Sequence, residues 1–179
     1  MAKKNSGLSP WAAGAIVAGV LGVSALVGKR NAPTPDNPGI DRWYHKLNKP
    51  GFTPPDPVFG AVWPVLETVF GYGGFRLLTA PSSPARNGAV ALWLANSAMI
   101  GGWTQLFFGE RQLGPSTAAA AAMLAGTAGY VGVANEVDRK AALAGVPLAI
   151  WLAFATVLSE EVWRRNLDGD HPGVPPPAS

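Results

Sequence analysis

Long apolar segments that lack a charged face dominate this chain. A helix that crosses a bilayer needs roughly 20 mainly apolar residues. We predict helices of about this length over residues 11–27, 58–78, 89–108, 117–134 and 141–163. The fourth segment contains no charged residue, so a helix there has no side that favours water. The pattern predicts an all-α membrane protein, a bundle of five transmembrane helices.

A soluble helical bundle with alanine-rich core helices is the alternative fold. Helices at the surface of such a bundle carry a charged stripe, whereas this chain contains only 14% charged residues. Soluble domains carry about 25%. The formal net charge of +3 is explained by loops that meet anionic lipid headgroups.

The connections between the predicted helices differ in length. Residues 28–57 form a long loop, whereas the other connections are short, so the second to fifth helices must be antiparallel neighbours. Prolines at positions 50, 54, 55 and 57 fix φ and remove backbone donors, so this loop holds one shape. Residues 1–167 therefore form one domain, and the Pro- and Gly-rich residues 168–179 are predicted to be a disordered tail.

The first apolar segment follows Lys3 and Lys4, as in a signal peptide. Its end offers a poor cleavage site, so we predict a retained helix. Lysines and arginines are slightly more numerous on the side of the long loop and the C-terminus, which favours a cytoplasmic C-terminus. With no clear transit peptide, we expect a bacterial inner membrane.

Small residues recur every four positions in two segments, for example Gly14, Ala18 and Gly22 in the first. In lipid, this spacing lets helix backbones approach closely. Packing within the bundle is the simpler interpretation, and a homodimer seam is the alternative.

Several kinds of chemistry are excluded by composition. The chain has no cysteine, which removes disulfides, thiol catalysis and iron–sulfur ligation. His45 and His171 lie far apart and outside the predicted helices, so we predict no metal site and no resident cofactor. His45 as an axial ligand of haem is an alternative to a solvated histidine. No hydrolase triad, phosphate loop, paired-carboxylate site or nucleic-acid module is present.

Large aromatic side chains share faces of three predicted helices. Helical spacing groups Phe59, Trp63, Glu67 and Phe70 on the second helix, Trp93, Asn96, Ile100, Trp103 and Phe107 on the third, and Pro147, Trp151, Ala155 and Leu158 on the fifth. Such faces can enclose a flat, apolar ligand, because indole rings offer stacking area and one donor each. Plain core packing is the alternative, but seven tryptophans favour a pocket.

Glu67 is an acid near the middle of the second predicted helix. In hydrocarbon, an acid costs several kcal/mol unless it is paired or faces water. It follows Trp63 by one turn, so we predict that it faces the pocket, with Asn96 or Gln105 as its hydrogen-bond partner. A helix-packing hydrogen bond without a ligand role is the alternative.

Three groups of residues resemble signatures of the TspO/MBR family, which comprises tryptophan-rich sensory proteins and the translocator protein. The loop signature is Trp43-Tyr44, Leu47, Lys49-Pro50, Phe52, Pro54-Pro55, Phe59 and Val62-Trp63. The second is Trp103, Phe107-Phe108-Gly109 and Arg111, and the third is Asp138-Arg139, Ala141-Ala142-Leu143, Pro147, Trp151, Phe154-Ala155, Leu158 and Asn166. The resemblance covers residues 43–166.

The resemblance implies a five-helix membrane bundle whose long first loop caps a pocket for tetrapyrroles such as protoporphyrin IX. Together with the shared faces, it predicts as ligand-binding residues Trp43, Phe52, Pro54, Phe59, Trp63, Glu67, Asn96, Trp103, Phe107, Pro147, Trp151 and Ala155. Trp63 and Trp151 match the tryptophans tied to light-dependent porphyrin degradation in some bacterial members, and would be catalytic if this chain does the same.

The pocket also departs from the family pattern. Relatives often have Tyr at the position of Glu67 and Asn at that of Ile100. A segment associated with cholesterol reads Ser159-Glu160-Glu161 here, so we predict no cholesterol binding. Three functions remain: a tetrapyrrole sensor, carrier or scavenger in stress-related regulation, a light-dependent porphyrin-degrading enzyme, and a lipid-binding scaffold or regulator.

Overall fold

The computed structural model describes residues 6–167, and the regular elements within this range are helices. The long helices are α1 (Pro10–Asn31), α3 (Asp56–Thr79), α4 (Pro84–Thr104), α5 (Leu113–Asn135) and α6 (Arg139–Arg165), and the short helix α2 is Pro38–Lys46. A π-helical turn, Gln105–Gly109, follows α4. The prediction of an all-α chain is confirmed. The predicted tail, 168–179, lies outside the described residues.

Three of the long helices, α1, α5 and α6, are long and apolar enough to cross a membrane. Helices α3 and α4 are of comparable length, 24 and 21 residues. The composition of the helices therefore indicates a membrane protein.

The first loop contains a helix that the sequence interpretation did not include. Helix α2 begins with Pro38 in its first turn, where proline is tolerated because the missing N–H has no intrahelical partner anyway. Trp43 and Tyr44 are its buried residues. The loop is therefore a short amphipathic helix followed by an extended proline-rich segment.

Side-chain caps mark where α1 and α4 begin. Ser9 accepts a hydrogen bond from the backbone N–H of Ala12 (3.3 Å) at the start of α1, and Ser83 accepts one from Arg86 (3.1 Å) at the start of α4. Such caps satisfy donors that have no partner within the helix. Helix α3 continues through Pro64.

Glycines on α3 allow the closest contacts of the core. A Cβ at Gly73 would overlap the Tyr130 hydroxyl, and one at Gly74 would overlap the ring of Trp93. Both aromatic residues are fully buried, and the Tyr130 hydroxyl donates a hydrogen bond to the Ala141 carbonyl (2.9 Å). These contacts hold α3 against α4, α5 and α6 at the end opposite the long loop.

Arg76 and Asp138 join α3 to the start of α6 at that same end. Nε and Nη2 of Arg76 donate to the Asp138 carboxylate at 3.0 and 2.6 Å. Asp138 also caps α6, because it accepts hydrogen bonds from the backbone N–H groups of Lys140 (2.8 Å) and Ala141 (3.0 Å). The Asp138 carboxylate thus caps the start of α6 and also holds α3 against it.

We expect Asp138→Ala to lower the free energy of unfolding by about 2 kcal/mol, because it removes a cap and an ion pair together. Asp138→Asn keeps a capping oxygen and loses only the charge, so its expected cost is about 1 kcal/mol or less. Thermal unfolding in detergent at pH 7 measures both. Equal losses for the two variants would contradict the capping role.

The same pair predicts a pH dependence. The hydrogen bonds from Arg76 lower the pKa of Asp138, so its folded-state pKa lies below the unfolded value of about 3.9. A lowered carboxyl pKa means that this stabilisation is present at neutral pH and is lost as the pH falls below about 4. The stability difference between the wild type and Asp138→Asn should therefore shrink between pH 5 and pH 3.

Candidate ligand cavity

A cavity of about 760 Å³ lies between α1, α3, α4 and α6, at the end of the bundle that carries the long loop. Its walls include Leu21 and Ser24 of α1, Phe59, Trp63 and Glu67 of α3, Ile100 and Trp103 of α4, Phe107 of the π turn, Met123 of α5, and Trp151, Leu152, Ala155 and Ser159 of α6. Ligand pockets usually measure 300–1,000 Å³ and combine apolar walls with a few polar groups. This cavity fits that description.

One aromatic wall is shared by α3 and α6. The rings of Trp63 and Trp151 lie 6.4 Å apart and almost perpendicular, at 89°. Phe59 contacts the same Trp151 ring edge-on at 5.9 Å. The buried Nε1 of Trp151 has no hydrogen-bond partner among residues 6–167. The contacts of Trp151 with Phe59 and Trp63 thus make one continuous aromatic wall.

A second aromatic wall is built by the end of α4 and the π turn. Trp103 stacks on Phe107 at 4.9 Å and 20°, and its Nε1 donates to the Ser116 carbonyl at 2.9 Å. The π turn lets the consecutive residues Phe107 and Phe108 both reach the cavity, with their rings 4.8 Å apart. Single π turns in α-helices are frequent at functional sites. Trp103 presents a ring here rather than a free donor.

Glu67 lies on the cavity wall together with Ser24 of α1, and its carboxyl makes no hydrogen bond with residues 6–167. The expected partners are elsewhere. Asn96 is buried between α4 and α5, where it donates to the Leu92 carbonyl (2.9 Å) and accepts from Thr127 (3.3 Å). No hydrogen bond joins Glu67 to Gln105 in the part of the chain that the structure describes. The sequence did not indicate Ser24, which brings a polar side chain of α1 to the same cavity.

The loop end of the cavity carries polar groups that the sequence interpretation missed. Lys49 donates to the Tyr44 carbonyl (3.0 Å) and sits 3.6 Å from the centre of the Tyr44 ring. The Tyr44 hydroxyl donates to Asp56 (3.2 Å), and Lys29 lines the same end. Burial lowers the pKa of Lys49, and burial together with the nearby Asp56 raises the pKa of Tyr44. We call this polar group of Lys29, Tyr44, Lys49 and Asp56 the mouth. Membership of the loop signature was the one signal that pointed to Tyr44 and Lys49.

Helix α2 is fastened over the mouth from two sides. Trp43 packs edge-on against Phe107 at 5.9 Å, and the Arg111 guanidinium lies 5.5 Å from its ring. Arg111 has a positive φ of 58°, which is uncommon for a residue other than glycine. On the other side, the Asn166 side chain accepts from the Asn48 N–H and donates to the Asn48 carbonyl, both at 3.1 Å.

The cavity collects the predicted residues Phe59, Trp63, Glu67, Trp103, Phe107, Trp151 and Ala155, and leaves out Trp43, Phe52, Pro54, Asn96 and Pro147. Trp43 lies behind Phe107. Phe52 is half-exposed and packs on Phe154 at 6.4 Å, and Pro54 is in the loop beside it. Pro147 is on an exposed part of α6. The aromatic faces therefore serve both purposes that the sequence analysis weighed. Some of their residues line the cavity, whereas Phe70 and Trp93 lie in the core.

The fold and the cavity define a helical membrane protein with an aromatic, ligand-sized cavity that residues of the long loop help to line. The TspO/MBR family matches residues 13–164, and the chain belongs to that family. It is 35% identical to the translocator protein of Homo sapiens over 128 residues, which cover 70% of this chain and 75% of that protein. This result confirms the resemblance seen in the three signatures.

Two bacterial relatives have similar sequence identity to this chain. The tryptophan-rich sensory protein of Cereibacter sphaeroides is 31% identical over 126 residues, 70% of this chain and 78% of that protein. Protein CrtK of Rhodobacter capsulatus is 29% identical over 126 residues, 69% of this chain and 78% of that protein.

Proposed function

We propose that this chain is a multi-pass membrane protein that binds a tetrapyrrole such as protoporphyrin IX in the cavity, as a sensor, carrier or scavenger. The observation that carries the proposal is the pair of aromatic walls, Trp63 with Trp151 and Trp103 with Phe107, around a space of about 760 Å³. A flat macrocycle gains most from such walls, because stacking on aromatic rings adds to its burial from water.

The proposal includes five membrane-crossing helices. At 1.5 Å per residue, the 24 residues of α3 and the 21 residues of α4 span about 36 and 31 Å. The hydrocarbon core of a bilayer is about 30 Å thick. Exposed apolar side chains on these helices, such as Val65 and Leu94, suit contact with lipid. The position of the basic residues supports a cytoplasmic C-terminus, and the bacterial relatives support a bacterial inner membrane.

The charges of the mouth suit the acidic end of a porphyrin. Lys29 is exposed and Lys49 is half-buried beside Tyr44, so two cationic groups face the entrance. Propionate groups at the edge of a porphyrin ring would meet these lysines while the ring lies between the aromatic walls. Asp56 reduces the net positive charge there and keeps Tyr44 in place.

Light-dependent degradation of the porphyrin is a second candidate function. The close, perpendicular contact of Trp63 with Trp151 inside the cavity favours it, because an excited porphyrin held there would lie next to two oxidisable indoles. Such a reaction needs dioxygen as the oxidant and no acid–base group. The lipid-binding scaffold is the remaining alternative.

Titration of the purified protein in detergent with protoporphyrin IX tests the proposal. We expect saturable quenching of tryptophan fluorescence at micromolar ligand. Trp151→Phe should weaken binding by about tenfold, because it removes ring area from the aromatic wall, and Trp63→Phe should weaken it less. Trp11→Phe is the matched control, because Trp11 is 91% exposed and outside the cavity.

Illumination after the titration separates the functions. Loss of the porphyrin absorption bands in light, absent in Trp63→Phe or Trp151→Phe but kept in Trp11→Phe, would establish degradation. Stable bands with saturable quenching would leave binding alone. Absence of saturable quenching in the wild-type protein would overturn tetrapyrrole binding and favour a lipid ligand.

A further inference from the structure

Glu67 lies at a different level of the cavity from the polar groups of the mouth. Asp56 and Glu67, the acidic residues among 6–167 that line the cavity, are both on α3. Asp56 is in the first turn of that helix, where it accepts a hydrogen bond from the Tyr44 hydroxyl (3.2 Å). Glu67 is eleven residues further along the helix, which at 1.5 Å per residue is about 16 Å. The two carboxyl groups therefore meet opposite ends of a bound molecule that fills this length.

The carboxyl of Glu67 has capacity to accept hydrogen bonds from a ligand. It makes no hydrogen bond and no ion pair with residues 6–167. The hydroxyl groups of Thr68 and Thr104, which also line the cavity, donate to backbone carbonyls of their own helices, both at 2.7 Å. Ser24 brings one more hydroxyl to the wall, but a hydroxyl donates only one hydrogen bond, whereas a carboxylate accepts about four.

The other walls of the cavity are mostly apolar. Helices α4, α5 and α6 contribute side chains such as Ile100, Met123 and Leu152. A polar group that a ligand shields from water without a hydrogen bond loses free energy. A ligand with a hydrogen-bond donor at the level of Glu67 avoids this cost, whereas a ligand with an apolar edge there incurs it. Glu67 can therefore discriminate between ligands that differ at their inner end.

The length of a porphyrin matches the separation of the two levels. From the carboxyl group of a propionate to the substituent on the opposite edge, a porphyrin is about as long as the distance from Asp56 to Glu67 along α3. With the propionates beside Lys49 at the mouth, the opposite edge reaches the level of Glu67. Trp63, which lies between the two acids on α3, is then beside the ring. Substituents on this edge point outwards in the ring plane, so a donor there can reach a carboxyl group on the wall.

We propose that Glu67 makes the cavity selective for a tetrapyrrole that carries a hydroxyl group on the edge opposite its acid groups, by accepting a hydrogen bond from that hydroxyl. The proposal rests on the tetrapyrrole function proposed above and names the subclass of ligand. A carboxyl group accepts from a hydroxyl both when it is ionised and when it is protonated. The selection therefore does not depend on the charge of Glu67.

Porphyrins that differ only at this edge test the selection. Mesoporphyrin IX carries ethyl groups there, protoporphyrin IX vinyl groups and haematoporphyrin IX 1-hydroxyethyl groups, and all of them keep both propionates. Dissociation constants are measured by tryptophan quenching in detergent for the wild type, Glu67→Leu, Glu67→Gln and Glu136→Leu. Glu136 is exposed at the end of α5 and outside the cavity, so the same substitution there is the matched control. Comparing the ratio of two constants between proteins cancels differences in the solubility and micelle uptake of the ligands.

We expect the preference for haematoporphyrin IX over mesoporphyrin IX to be at least about tenfold larger in the wild type than in Glu67→Leu, the usual size of one buried hydrogen bond. The change should come mainly from weaker binding of haematoporphyrin IX by the variant. Glu67→Gln should keep part of the preference, because its amide oxygen still accepts. Glu136→Leu should keep the wild-type ratio. Protoporphyrin IX, which has no hydroxyl, should follow mesoporphyrin IX in each protein.

The same ratio of constants in the wild type and Glu67→Leu would overturn the selection, as would an equal loss of preference in Glu136→Leu. If Glu67→Leu does not fold, Glu67→Met takes its place with the same expected result, because methionine has a similar length and accepts hydrogen bonds only weakly. Failure of the wild type to bind any of these porphyrins would instead overturn the tetrapyrrole function itself. Binding with an unchanged ratio leaves that function in place and removes only the role of Glu67.

Discussion

Gly74→Ala is expected to lower the free energy of unfolding by about 3 kcal/mol, at the upper end of the usual cost of overpacking a core. The added methyl group would lie 2.6 Å from both Cδ2 and Cζ2 of the Trp93 ring. Trp93 is only 1% exposed, so the ring has no free space into which it can rotate. Relief therefore requires α3 and α4 to separate.

Thermal unfolding in detergent, followed by circular dichroism, measures this effect. Gly132→Ala on α5 is the matched control, because nothing lies within 4 Å of a Cβ at that position, and we expect it to be neutral or slightly stabilising. The double variant Gly74→Ala/Trp93→Phe should recover part of the loss, since a smaller ring leaves room for the methyl group. Equal melting temperatures for Gly74→Ala and Gly132→Ala would contradict the close contact.

Asn166→Ala is expected to free the loop from α6 at a cost of about 2 kcal/mol, since three hydrogen bonds of its side chain are lost. These bonds join it to the backbone N–H and carbonyl of Asn48 and to the Val162 carbonyl. Asn166 is 3% exposed, so water replaces them poorly. Amide hydrogen exchange around residues 47–50 should become at least tenfold faster. Dissociation of protoporphyrin IX, the proposed ligand, should become faster by a similar factor.

Asn48→Ala is the matched control for this variant. Asn48 takes part in the contact with Asn166 through its backbone alone, so removal of its side chain should leave both exchange and dissociation near the wild-type values. If Asn48→Ala accelerated exchange as much as Asn166→Ala, the loop would be held by something other than this pair.

The long helices could be predicted because their apolar segments are too long for any other element. Helix α2 was missed although Ile40, Trp43, Tyr44 and Leu47 recur with the helical period, because the prolines from 50 to 57 dominated the interpretation of the loop. The pattern of apolar residues also did not give the exact ends of the helices. The third predicted helix reached 108, whereas α4 ends at Thr104 and gives way to the π turn.

The candidate site could be predicted only as far as helical period allows. Helical periodicity puts Asn96 on the same face as Ile100, and Pro147 on the same face as Trp151. It does not show how deeply each side chain is buried or which helix packs against that face. In the fold, Asn96 is bonded to Thr127 and Pro147 is exposed. Glu67 was placed in the cavity because a carboxyl in an apolar helix has few alternatives.

Contacts between distant parts of the chain were invisible to the sequence. Asn48 and Asn166 are 118 positions apart, and Ser24 lines the cavity from a helix that the resemblance, starting at Trp43, did not cover. The loop signature identified the right segment. Only the fold shows which of its residues face the cavity and which fasten α2.

The π turn after α4 also sets the angle between two side chains that flank it, Trp103 on the cavity wall and Arg111 beside α2. Its hydrogen bond runs from the Glu110 N–H to the Gln105 carbonyl (2.8 Å), one residue longer than in an α-helix. Each residue of an α-helix advances by about 100°, so this extra residue rotates Arg111 relative to Trp103. The rotation lets one chain segment present Trp103 to the cavity and Arg111 to the outer side of Trp43. The length of this turn therefore lets Trp103 face the cavity while Arg111 contacts Trp43 of α2.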